Sequence, residues 1–130
     1  MLKMFKSKNL QSIKHGFFGR SGGVSIGEYS SLNLSEKTTD RKENVYQNKR
    51  LILDKLELSN RNVFFPNQQH TSNVVFIDKK TDLDEAKHIP ADAVVTNIDD
   101  LGVGILTADC SPILAYERES GFILAIHAGW

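Results

Sequence analysis

Residues 121–130 read GFILAIHAGW. From Phe122 to Ala128 the run is apolar except for His127, with no regular alternation of polar and apolar positions. Such a run, short and opened by a glycine, is the pattern of a buried strand rather than of an amphipathic helix. The pattern recurs upstream as VFF before Pro66, NVVFID at 73–78, DAVVT at 92–96, GVGILTA at 102–108 and PILAYE at 112–117. Because several of these pulses lack alternation, they predict strands covered on both faces, with the last one central in its sheet. Stretches such as DKKTDLDEAKHIP lie between them and read as a solvated loop with one helical turn.

One segment changes period. In TTDRKENVYQNKRLILDKLEL, residues Val45, Leu51, Ile52 and Leu56 recur at helical spacing, Asp40 can cap, and Glu43 stands three residues later as a capping-box partner. This predicts a helix over 41–57. Upstream, HGFFGRSGGVSIGEYSSLNLSE has short apolar pulses between turn residues and reads as short strands joined by loops. One helix and about six strands imply an α+β fold of mixed sheets, organised as a single domain over 1–130 without a linker or an internal repeat.

Composition narrows the function classes. With 130 residues, 40% of them hydrophobic, the chain can bury one modest core. A formal net charge of zero and a pI near 6.9 remove the electrostatic case for non-specific binding to nucleic acid or a membrane surface, leaving room only for a small local basic patch. No apolar stretch approaches the ~18 residues of a membrane span, and MLKMFKSKNLQ leads into no signal-peptide core, which points to the cytoplasm. The one cysteine, Cys110, cannot form an intramolecular disulfide, so packing, reactivity or metal ligation must account for it.

Three residues offer a ligand set: His70 in NQQHTSNV, Cys110 in TADCSP and His127 in AIHAGW. Each stands where an apolar run meets polar or small residues. Two imidazoles and a thiolate suit Zn²⁺ or Cu²⁺ and leave a fourth position for water or substrate. Ordinary roles compete: a lone cysteine after a strand is a common core residue, a histidine in a Gln-rich turn a common surface residue, and His127 an interior histidine with its bonds satisfied. The spacings exceed those of a zinc finger and do not decide between these readings. Asp109 adjoins Cys110 and Asp92 opens DAVVT; either carboxylate could orient a ligand or move a proton, with closing a turn as the competing role and the reading taken for Asp92. In GRSGGVS and the following SSLN, Arg20 with the backbone of Gly22 and Gly23, plus Ser31 and Asn33, could cradle an anion, though a Gly-rich turn explains the same residues. His15 and His88 read as surface residues.

In order, HGFFGRSGGVS, YSSLNLS, NVYQNKR, QQHTSNV, ADAVVTN, LTADCSPILAY and AIHAGW resemble the laccase-domain or YfiH-type family, once labelled polyphenol oxidase and associated with purine nucleoside phosphorolysis and adenosine deamination. The resemblance runs from about residue 13 to the last residue. It implies a compact arrangement of mixed sheets flanked by helices, and His70, Cys110 and His127 as ligands of a metal, zinc by preference and copper as the alternative. It implies adenosine, inosine, guanosine or methylthioadenosine as substrates, with phosphate as the attacking anion and Arg20 to hold it. For deamination it implies water activated at the metal, attacking the purine carbon that bears the amino group. Gly19, Ser35 and the sequence QQHT depart from the family pattern without removing a ligand. The family domain is about twice as long as this chain and continues beyond HAGW, so the chain corresponds to its N-terminal half. From that follow three expectations: self-association, a second chain that supplies the other half, or a metal-binding or interaction module without activity. A copper-dependent polyphenol oxidase needs several coupled metal centres, more than four histidines and one cysteine can build.

Overall fold

The structure, a computed structural model, describes residues 1–58 and 62–129. The chain divides into two compact units, Met1–Asn60 and Arg61–Trp130, at the polar stretch SNRN. Its architecture is mixed, with several small sheets and few helices.

In the first unit, β1 (Met4–Phe5) pairs antiparallel with β2 (Phe17–Phe18), and α1 spans Lys42–Lys55. The helix matches the predicted period but not the predicted cap. Arg41 is the boundary residue and makes no side-chain cap, while Asp40 divides its carboxylate, Oδ2 accepting from Ser25 and Asn33 and Oδ1 from the Arg41 N–H and the Asn44 side chain. The buried face of α1 carries Val45 and, unexpectedly, Asn48, which is fully buried. Asn48 accepts the Val24 N–H at 2.8 Å and donates to Ser25 Oγ at 2.9 Å and to the Asn33 carbonyl at 2.8 Å, so its amide replaces water for the loop it packs on. Gly23 lies so close to that loop that a Cβ would meet the Ser31 carbonyl oxygen at 2.2 Å. His15 is buried rather than at the surface: Nε2 accepts the Ser7 N–H at 2.8 Å and Nδ1 lies 3.1 Å from the Ile13 carbonyl.

In the second unit, β3 (Asn62–Phe64) pairs parallel with β6 (Leu101–Val103). A four-stranded sheet has the order β4 (Val74–Ile77), β5 (Ala93–Thr96), β8 (Ile123–Ala128), β7 (Ser111–Tyr116). Parallel β4 and β5 need a crossover, and it contains α2 (Leu83–Ala86), capped by Asp82, whose carboxylate accepts the N–H groups of Asp84 and Glu85. Strand β8 runs antiparallel to both its neighbours and is central, as GFILAIHA predicts. Pro112, which cannot donate to a ladder, stands on the edge strand β7.

Register puts Val75, Val94, Ala125 and Leu114 in one row across all four strands, on the face that meets Phe64, Ile77, Ala86 and Ala91. Full burial of a side chain such as Ile77 contributes about 2–3 kcal/mol. The opposite face does not follow the prediction of cover on both sides. Val74, Phe76 and Ile113 remain 60%, 51% and 44% exposed there, and the Phe76 ring meets only Phe122 among the described aromatic rings, at 5.7 Å between centroids. Strand β6 is also shorter than GVGILTA suggests. After Gly104, whose N–H still donates to the Phe64 carbonyl at 3.0 Å, the chain leaves the ladder, and the Gln68 side chain takes both polar groups of Leu106, donating to its carbonyl at 2.6 Å and accepting its N–H at 2.7 Å.

Candidate metal centre

Three separate elements bring the ligand candidates together. His127 lies near the end of the central strand β8 and is buried. Antiparallel pairing sets Pro112 opposite His127, so Cys110, two residues before Pro112, arrives beside the same strand end. His70 comes from the loop between β3 and β4, which Gln68 fastens to Leu106. One ligand atom from each of His70, Cys110 and His127 lies within 4.8 Å of the other two, and no other such group of His, Cys, Asp or Glu occurs among the described residues. His70 Nε2 is 3.8 Å from Cys110 Sγ, and the two imidazoles meet edge to face with centroids 4.9 Å apart.

These distances fit a metal. Tetrahedral zinc, with Zn–N near 2.0–2.1 Å and Zn–S near 2.3 Å, separates neighbouring ligand atoms by about 3.3–3.6 Å. Small side-chain movements therefore close the observed triangle around one ion, and the donor set leaves a fourth position open. Gly129 belongs to the same packing, since a Cβ there would press on His70 Cδ2 at 3.3 Å.

Asp92 is the residue that the sequence reading undervalued. It does not merely close a turn: it is 2% exposed, and Oδ1 lies 2.7 Å from His127 Nδ1. Its carboxylate also accepts the N–H groups of Gln69 at 3.2 Å, His70 at 3.1 Å and Thr71 at 2.6 Å, and the Thr71 hydroxyl at 2.9 Å. Burial acts to raise its pKa, but the bonds from His127, Thr71 and Gln69 outweigh it and hold the carboxyl well below the usual range. The available signal was a charged residue between Ala91 and Ala93 at the start of an apolar strand, where only a paired carboxylate is tolerated.

Asp109 is exposed beside Cys110. The remaining candidates belong to the first unit. Arg20 is exposed and donates to the Ser30 carbonyl from Nε at 3.1 Å and from a terminal nitrogen at 2.8 Å. The N–H groups of Gly22 and Gly23 already donate to Ser31 Oγ at 2.9 and 3.1 Å. Asn33 donates to Thr38 Oγ1 and Asp40. Ser31 and Asn33 thus brace the loop that carries Arg20.

Residues 14–130 match the protein family described as multi-copper polyphenol oxidoreductase laccase. A purine nucleoside phosphorylase of Corynebacterium glutamicum is 34% identical over 117 residues, which cover 90% of this chain and 47% of that protein. One from Bacteroides thetaiotaomicron is 32% identical over an alignment that covers all of this chain and 50% of that protein. Among solved structures, a Neisseria meningitidis protein labelled DUF152 is 32% identical with a TM-score of 0.71, over 88% of this chain and 45% of that one. The hypothetical protein YfiH of Bacillus licheniformis, at 23% identity and a TM-score of 0.80 over 88% of this chain and 45% of that one, shares the fold. The chain spans about half the length of the curated relatives it matches. No helix among the described residues is long and apolar enough to cross a membrane.

Proposed function

From the premise that this chain belongs to the multi-copper polyphenol oxidoreductase laccase family, we propose that it forms the metal-holding part of an enzyme acting on purine nucleosides and phosphate. The observation that carries this reading is the convergence of His70, Cys110 and His127 at the rim of the four-stranded sheet. Relatives over 30% identical are named purine nucleoside phosphorylases, so phosphorolysis, which yields ribose 1-phosphate and the free base, is the leading reaction. Deamination of adenosine, in which water replaces the amino group, is the second reaction we assign.

His70, Cys110 and His127 would hold the ion, and zinc suits this donor set best. Bound there, it supplies Lewis acidity next to the substrate. The chain's own groups bind and orient. The exposed guanidinium of Arg20 offers a forked donor for phosphate oxygens, with Gly22, Gly23, Ser31 and Asn33 shaping its loop. The exposed carboxylate of Asp109, next to Cys110, is assigned to proton transfer. A coupled multi-copper oxidation is not supported by the donors: one three-residue group among the described residues cannot hold several adjacent coppers.

Metal content measured on the purified chain, in parallel with turnover of adenosine and inosine in phosphate buffer, tests the reading. About one zinc per chain with turnover is the expected result. Zinc without turnover means that pocket groups lie in the part of the family domain that this chain does not span. Cys110→Ala should reduce zinc to substoichiometric levels, and a folded variant that keeps full zinc content refutes the ligand assignment.

A further inference from the structure

We propose that Asp92 is the positioning residue of this centre, one carboxylate that sets the ring tautomer of His127 and the backbone of the His70 loop before any metal arrives. The inference rests on the metal-centre reading and extends it to a residue that touches neither metal nor substrate.

An ionised carboxylate only accepts hydrogen bonds. With Oδ1 2.7 Å from His127 Nδ1, the proton of a neutral imidazole sits on Nδ1, and the lone pair on Nε2 is left for ligation. Main-chain pairing fixes the same relation, since the His127 N–H donates to the Asp92 carbonyl at 2.7 Å and the Asp92 N–H to the Asn73 carbonyl at 3.1 Å.

The other half of the device is the loop. The consecutive N–H groups of Gln69, His70 and Thr71 all converge on the Asp92 carboxylate. Backbone N–H groups gathered in this way form an anion-binding nest, and here the anion is built into the chain. The nest matters because His70 has φ +57°, the left-handed region, which costs a non-glycine residue about 1 kcal/mol. Without the carboxylate, the loop would have three N–H groups without their acceptor and a strained histidine at its centre. Asp92 therefore couples the aim of His70 to the tautomer of His127. A carboxylate serving only the loop would have no need of the His127 ring.

The first test needs no variant. Ring ¹⁵N chemical shifts of the metal-free wild-type chain, recorded at a pH where the ring is neutral, should place the His127 proton on Nδ1, and a majority of the Nε2–H tautomer overturns the proposal. The second test is zinc affinity of Asp92→Asn by chelator competition, with the amide spectrum as the check on folding. Loss of an orienting partner of a metal-binding histidine weakens binding about 10–100-fold, and that is the expected shift. A folded Asp92→Asn chain that binds zinc as tightly as wild type overturns the assignment. Should Asp92→Asn fail to fold, Thr71→Val, which removes the hydroxyl arm on Oδ2 together with the acceptor of the exposed Asn73 N–H, takes its place. It should keep the Nδ1–H tautomer and weaken zinc binding severalfold; unchanged zinc affinity in a folded Thr71→Val chain overturns the loop half of the proposal. A wild-type chain that takes up no zinc sinks the metal-centre reading, and the tautomer still decides for or against Asp92.

Discussion

Asp40, at the start of α1, shares its carboxylate among four donors: Ser25 Oγ at 2.6 Å, Asn33 at 3.0 Å, the Arg41 N–H at 2.8 Å and Asn44 at 3.2 Å. The bonds from Ser25 and Asn33, chief among these, hold the carboxyl below its ordinary value. A carboxyl whose folded pKa lies below the unfolded value binds fewer protons when folded, so its contribution is complete above about pH 4 and is lost as pH falls through the folded value. Amide exchange in the first turn of α1 should therefore accelerate as pH drops below about 4, after correction for the intrinsic rate, and Asp40→Asn should remove most of that dependence. Equal acid sensitivity in the variant would show that another group controls the loop. Asp40 and Asp92 also mark the limit of reading single residues from sequence. Histidine and cysteine are distinctive donors, so His70, Cys110 and His127 stood out before their geometry was known. A carboxylate at the edge of an element looks alike whichever partner it serves, and the partners here are 15 and 35 positions away.

Strand β4 alternates in exposure, with Val75 and Ile77 inside and Val74 and Phe76 outside. Sequence showed four apolar residues in a row and so predicted cover on both faces, because hydrophobicity alone does not say which face has a partner. The distinction is measurable. Ile77→Ala should cost about 3–4 kcal/mol, the transfer term plus a cavity among Val94, Ala125 and their neighbours, whereas Phe76→Ala should cost under about 1 kcal/mol. Similar losses at both positions in urea denaturation would mean that the outer face is covered in solution. Helix α1 was legible from its period, and strands β5, β7 and β8 from apolar runs bounded by turn residues. The end of β6 was not, because it depends on the Gln68 side chain standing in for a strand neighbour. Nor was the buried Asn48 legible, since an amide at a helical core position differs from a surface amide only through the loop packed upon it.

At the scale of the whole molecule, the formal net charge is zero at pH 7, so repulsion between copies is weak where the apolar outer face of the sheet is most able to associate. Sedimentation velocity should detect self-association of the chain near pH 7, and Phe76→Lys or Ile113→Lys should shift it toward monomer. Association that persists in both variants would assign it to another surface. The family and the fold were readable as an ordered series of motifs, while the sequence read as one domain without a linker, because the polar stretch SNRN at the boundary of Met1–Asn60 and Arg61–Trp130 is too short to stand out as one. The place of β8 has a further consequence, for synthesis on the ribosome. Strands β5 and β7 are made first, yet the strand that joins them is made after both. While the nascent chain lacks β8, β4 and β5 can pair, β7 waits alone, and Asp92 has no imidazole to hold. The convergence of His70, Cys110 and His127 accordingly waits for translation of β8, however early the other two candidates are made.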